Sequence, residues 1–262
     1  MKTLRLIAII CATALLSLSC SRTIETDSEI SASFSVDIPL TKAFSNGAAA
    51  TELRVRVFDA NHDFLYEQTA SRSEAGWNIT FKLVPGTYSF CFWAGSPRTG
   101  AYTFENEYMT LSYQSMTMNT DDDDAFWAAF ADLDVTSSFI RTVTLKRPFA
   151  FIQLVSNNFI NESLDGATSA FTITGAMCTR FNLITGVADQ ATRKAIFKPA
   201  PISDNTIGRR TIAAAAYVLV PEEGVTAAEV AYTITFADGR YISDTVQEVP
   251  LAPNHRTNLQ DY

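Results

Sequence analysis

The sequence predicts an all-β fold of two tandem β-sandwiches, and three observations carry that expectation. Apolar and polar residues alternate at a period of two in run after run, which sets one face of a strand against a core and the other in water. Clusters of Gly, Pro, Asn and Asp separate those runs, and no long amphipathic helix pattern competes with them. The chain has 262 residues, 47% of them hydrophobic, enough for buried cores and for two sandwiches of roughly 120 residues each.

The elements follow in order. Ala32, Phe34, Val36 and Ile38 alternate with Ser31, Ser33, Ser35 and Asp37, and Pro39 with the loop-like stretch 41–50 ends the run. Leu53, Val55 and Val57 alternate with Arg54 and Arg56. Trp77, Ile79, Phe81 and Leu83 alternate with Asn78, Thr80 and Lys82, and Val84-Pro85-Gly86-Thr87 is read as a turn that closes a hairpin with residues 88–93. After residues 111–118, the run Asp121-Asp122-Asp123-Asp124 is expected to be a solvated acidic loop, with a short helix over 125–130. The strong run 141–155 is interrupted at Arg147-Pro148; proline has no N–H to donate, so the break marks an edge or a crossover. The expected domains are therefore 20–140 and 141–262. Further strands are expected at 170–174, 180–183, 211–220 and 230–236, the last joined through Asp238-Gly239 to 241–246.

The first residues carry an address. Lys2 and Arg5 precede an uncharged stretch of 14 residues, Leu6 to Ser19, the layout of a signal peptide over 1–19. A membrane-crossing helix needs roughly 20 apolar residues, so a permanent span is disfavoured. The stretch ends Leu16-Ser17-Leu18-Ser19-Cys20, similar to the lipobox of bacterial lipoproteins, although Ser17 stands where leucine is usual. Cys20 is accordingly the expected lipidation site and membrane attachment; ordinary secretion is the alternative. Removing residues 1–19 takes away Lys2 and Arg5 and no acid, so the net charge moves from −8 to −10. Such a chain is repelled by a phosphate backbone, and no dense Lys/Arg cluster opposes that, which argues against nucleic-acid binding.

Little in the sequence points to catalysis. His62 sits in the turn-like Asp59-Ala60-Asn61-His62-Asp63 and His255 in Pro253-Asn254-His255-Arg256, with no HExxH, GxSxG or P-loop pattern. No catalytic residue, cofactor or metal ligand is assigned, since the Asp121–Asp124 run lacks the spaced ligands of an EF-hand. Cys91 and Cys178 are read as small core residues, a bridge between them being the other option in an oxidising compartment. Trp93, Trp127 and Tyr102 are the residues from which a sugar platform could be built in a glycan-binding envelope lipoprotein, the competing function; Trp77 and Trp93 also fit a core.

Several phrases together resemble the fimbrillin-like lipoproteins: Leu83-Val84-Pro85-Gly86-Thr87-Tyr88-Ser89-Phe90-Cys91-Phe92-Trp93-Ala94, Asp124-Ala125-Phe126, Leu145-Lys146-Arg147-Pro148-Phe149-Ala150, Phe181-Asn182-Leu183-Ile184-Thr185-Gly186, and Val249-Pro250-Leu251 with Asn254-His255-Arg256-Thr257-Asn258. The resemblance implies two transthyretin-like, Greek-key sandwiches, export to the outer membrane and cell surface as a lipoprotein, and a role in fimbriae. It also implies partners: other fimbrial subunits joined by donor-strand exchange, and a host or bacterial surface ligand. Polymerising members are trimmed after a basic residue, which removes the first strand and opens a groove for a strand of the next subunit. Lys42, in Leu40-Thr41-Lys42-Ala43, is the position that matches. Shaft subunits continue past the last strand, whereas this sequence stops at Gln260-Asp261-Tyr262, so an accessory, tip or anchor-like position is expected.

Overall fold

The computed structural model describes residues 29–38, 45–156, 163–202 and 211–260. The first half runs β1 (Ile30–Asp37), β2 (Glu52–Phe58), β3 (Phe64–Ser71), β4 (Trp77–Leu83), β5 (Gly86–Gly95), β6 (Tyr102–Glu105), β7 (Tyr108–Leu111), a 3-10 turn (Tyr113–Ser115), β8 (Phe126–Val135) and β9 (Phe139–Thr144). The second runs β10 (Phe149–Ser156), β11 (Thr168–Asn182), β12 (Ala188–Ile196), β13 (Ala200–Pro201), β14 (Thr211–Leu219), β15 (Val225–Thr235), β16 (Tyr241–Leu251) and β17 (Arg256–Gln260).

Pairing organises these strands into two sandwiches built to one plan. In the first, β4-β1-β9 faces β3-β2-β5-β8; in the second, β14-β10-β17 faces a sheet centred on β11, β15 and β16, with β12 also paired to β11. The plan repeats strand for strand. The opening strand of each, β1 or β10, lies between an antiparallel neighbour (β4 or β14) and a parallel one (β9 or β17). The opposite sheet grows outward from an antiparallel β2·β3 or β11·β12 pair, through β5 or β15, to β8 or β16. Alternation explains the first core: β4 reads buried and exposed in strict turn, and Ala32, Phe34 and Val36 project inward from β1.

One insertion breaks the repeat. Between β5 and β8 the chain leaves the first sandwich, forms the β6·β7 hairpin, and adds β7 to β11 of the second sandwich through Tyr108↔Asn182, Met109↔Phe181 and Thr110↔Arg180. Farther on, the Asn119 N–H donates to the Ala215 carbonyl (2.9 Å) and the Asn119 Oδ1 accepts from the Ala215 N–H (2.8 Å), so the loop pairs along β14 as well. Ala101, Met109, Leu111, Tyr113, Met116 and Met118 consequently bury in the second core. The outward face of β5 and β8 joins them through Cys91, Trp93 and Trp127.

Three local expectations are corrected. The runs 77–83 and 88–93 do not form a hairpin: β4 pairs with β1 and β5 with β2 and β8, so Val84-Pro85-Gly86-Thr87 carries the chain from one sheet to the other. The reason is burial, because β5 is enclosed on both faces from Tyr88 onward and needs a central place. Residues 125–130 are strand, not helix, as Phe126 and Trp127 pair with Ala94 and Trp93. Residues 170–174 and 180–182 belong to one long strand, β11, with an irregularity between Thr174 and Met177, and Leu183 lies in the turn that follows. The β15·β16 hairpin through Asp238-Gly239 is present as expected, with Gly239 at φ +84°.

Candidate functional site

The place where β1 lies has the properties of a strand acceptor. β1 pairs with β4 across seven positions, from Ile30↔Leu83 to Val36↔Trp77, and with β9 across six, from Ala32↔Phe139 to Asp37↔Thr144. Taken out, it would leave unpaired edges on both flanks. Its inward side chains fill one trough: Ala32, Phe34, Val36 and Ile38 are all 2% exposed or less. Phe34 is the centre of that trough, with the rings of Phe81, Phe90, Phe92, Phe130 and Phe139 at centroid distances of 4.9–6.3 Å. The outward face is polar, with Ser33 Oγ 2.9 Å from Thr80 Oγ1 and the Lys82 ammonium donating to Ser31 Oγ (2.6 Å).

At the Ile38 end of the trough lies a buried polar hub that joins both sandwiches. The Arg147 guanidinium donates twice to Asp124, Nε to Oδ1 (2.6 Å) and Nη2 to Oδ2 (2.8 Å), and also to Asn254 Oδ1 (3.0 Å) and the Ser45 carbonyl (3.3 Å). The pair is enclosed, with 1% and 0% of the two side chains exposed, and the Phe126 ring lies 4.4 Å from the guanidinium carbon. Desolvation outweighs Arg147 and holds the Asp124 carboxyl above the ordinary carboxylate range. Asp123 is buried beside it and accepts from the Thr99 hydroxyl and the Thr117 N–H, while the Tyr102 hydroxyl donates to its carbonyl. Burial raises Asp123 too. Asp121 accepts from the Tyr217 hydroxyl (2.6 Å).

The acidic run is therefore not a solvated loop. Asp123 and Asp124 are interior residues whose carboxylates are engaged by protein donors. Consecutive acids give no sequence signal for this, because the partner that makes burial tolerable, Arg147, is supplied by the connection between sandwiches.

The other sequence-derived residues disperse. Cys20 and Lys42 lie outside the described residues. Cys91 on β5 and Cys178 on β11 are buried free thiols. His62 Nε2 lies 3.0 Å from Asp132 Oδ1 and His255 Nδ1 lies 2.8 Å from the Pro253 carbonyl, each a local contact. Trp77, Trp93 and Trp127 are 0%, 4% and 6% exposed, so no indole face is open as a platform. Each ring is taken by the packing; that of Trp127, for example, lies against Phe181 (5.1 Å).

A family model described as a family of unknown function, DUF6562, matches residues 24–262. The chain belongs to this family. No curated protein sequence matches this DUF6562 chain. Its fold is similar to that of a candidate polysaccharide-binding protein of the DUF1812 type from Bacteroides thetaiotaomicron, with 14% identity over 82% of this chain and 79% of that one and a TM-score of 0.55. A candidate adhesin from Bacteroides ovatus gives 11%, 84%, 78% and 0.53 on the same measures. A candidate cell adhesion protein from Bacteroides uniformis gives 14%, 88%, 92% and 0.52. The coverage shows that the DUF6562 chain shares its fold with these proteins over most of its length.

Proposed function

We propose that this protein is a structural and adhesive component of fimbriae at the bacterial surface, joined to other subunits by β-strand addition. The observation that carries the reading is β1: an inner strand, connected to the rest of the fold by one short segment, whose apolar side chains fill a trough lined on both sides by strands able to pair with a replacement. The shared fold with candidate adhesins and a candidate cell adhesion protein supports it.

Within that reading, Cys20 carries the lipid and delivers the chain to the outer membrane, and cleavage after Lys42 frees β1 together with the lipid. An uncleaved chain keeps Cys20 as its attachment, as an anchor-like accessory subunit does. Shearing cells of the native bacterium and fractionating the product tests the role: the protein is expected in the fimbrial fraction with an N-terminus at Ala43, or in the membrane fraction labelled by a fatty-acid analogue when uncleaved. Absence from sheared fimbriae, with unaltered fimbriae in a deletion strain, would sink the proposal.

A further inference from the structure

Trp93 points away from the first core into a cage of rings, with Tyr102, Phe104, Phe149 and Phe181 at 5.6–6.3 Å. Its indole nitrogen differs from the other two. Trp77 Nε1 donates to the Thr51 carbonyl and Trp127 Nε1 to that of Leu183, whereas Trp93 Nε1, on a residue only 4% exposed, meets no acceptor among the described residues. The nitrogen is not sealed in, because Arg56 Nε is the only fully enclosed unpaired side-chain atom among those residues. It opens on a cleft of about 510 Å³ that Trp93 lines together with Glu52, Arg54, Ser96, Tyr102 and Phe104, within the size range of small-molecule sites. Gly95 keeps the opening clear: a Cβ there would stand 3.6 Å from Trp93 Nε1.

The other groups define what fits. Glu52 meets Arg54 at 3.7 Å, too far for a hydrogen bond, so its carboxylate is free to accept from a ligand. Ser96 Oγ accepts from the Arg98 N–H (3.2 Å) and retains its proton to donate. Arg54 donates to Glu67 (2.6 Å) and lies 4.7 Å over the Phe104 ring, covering that face. An anion would find Arg54 already paired with Glu67 and would meet the Glu52 carboxylate, and a cation would meet Arg54. A neutral ligand carrying many hydroxyls can accept from the Trp93 N–H, donate to Glu52 and lay its C–H groups against the half-buried Tyr102.

We propose that this cleft binds a neutral saccharide, anchored by the Trp93 N–H rather than by stacking on an open indole face. The inference stands on the cleft and not on strand exchange, so either can fail alone. The test uses the full mature chain on an array of neutral oligosaccharides ending in galactose, glucose, mannose, fucose or N-acetylglucosamine, with sialylated and sulfated sets beside them. Retention on neutral sugars is expected, with a shift of the Trp93 indole N–H resonance when the best-retained sugar is titrated into ¹⁵N-labelled protein. Gly95→Ala, whose added methyl makes only ordinary contacts, and Glu52→Ala, which removes the acceptor, should each weaken binding by about tenfold, the loss of one well-placed hydrogen bond, with melting unchanged. No retention on neutral sugars, retention of charged glycans alone, or binding that leaves both variants and the Trp93 resonance unaffected overturns the proposal.

Discussion

Removing β1 should strongly destabilise the first sandwich and leave a site that takes the strand back. Phe34, Val36 and Ile38 are each 2% exposed or less, and burying side chains of that size contributes about 2 kcal/mol apiece, roughly 6 kcal/mol together. That is comparable to the whole stability of an ordinary domain, and the pairing with β4 and β9 is lost besides. A chain beginning after residue 44 should therefore melt in two transitions, the first shifted far below that of the intact protein. A synthetic peptide of residues 28–42 should raise the lower transition back toward that of the intact protein. Phe34→Ala in the peptide empties the middle of the phenylalanine cage, costing about 3–5 kcal/mol, or at least about 100-fold in affinity. Calorimetric titration of both peptides, with Trp77 fluorescence on β4 as the local reporter, gives the comparison. If the shortened chain keeps its midpoint, or binds a scrambled peptide as well as the native one, the strand-acceptor argument is refuted.

Four further outcomes follow from the junction and the buried groups. Arg147→Met strands the enclosed Asp124 carboxylate and should lower stability by about 3–5 kcal/mol, with Arg147→Met/Asp124→Leu recovering part of it in urea unfolding. Gly186→Ala should destabilise by about 3 kcal/mol or more, because Gly186 has φ +75° and a Cβ would lie 2.4 Å from the Trp127 ring. Burial raises the Asp123 pKa, so the native state holds its proton where the unfolded chain, at about 3.9, has lost it; stability from this group grows as pH falls through the native value toward the unfolded one, and wild type should gain on Asp123→Asn over that fall in paired urea curves. Burial pushes Cys178 up to about 11 and Cys91 up as well, so both thiols should be inert to a thiol reagent at pH 8 until the protein is unfolded.

The period-two strands were legible because one face of each meets water: β4 and the inward side of β1 match the alternation residue for residue. β3 gave no such signal, since it is an edge strand with Phe64 and Leu65 both more than 40% exposed, and its consecutive apolar residues break the period. The hairpin expected across Val84-Pro85-Gly86-Thr87 failed for another reason: a short turn between two good strands does not say whether they share a sheet. For the site, the apolar face of β1 could be read directly, but the hub could not. Asp124, Arg147, Ser45 and Asn254 are far apart in sequence and meet only because the insertion returns to the first sandwich beside the connection between the two.

The repeated plan also decides which strand can be exchanged. β10 holds the position in the second sandwich that β1 holds in the first, with the same antiparallel and parallel neighbours. Yet all eight residues of β10 are buried, and two residues before it stands Arg147, fixed to Asp124 and Asn254. β1 is half polar, and the chain after it is gripped again at Ser45, whose carbonyl accepts from Arg147, and at Gly47, packed against Phe126. A cut between Ile38 and Ser45 would therefore release β1 with the residues that precede it: Ser45 and Gly47 stay pinned to the hub, and the second sandwich keeps its core. The strand exchange proposed above would thus be confined to the first sandwich, with the hub holding the junction end of the trough.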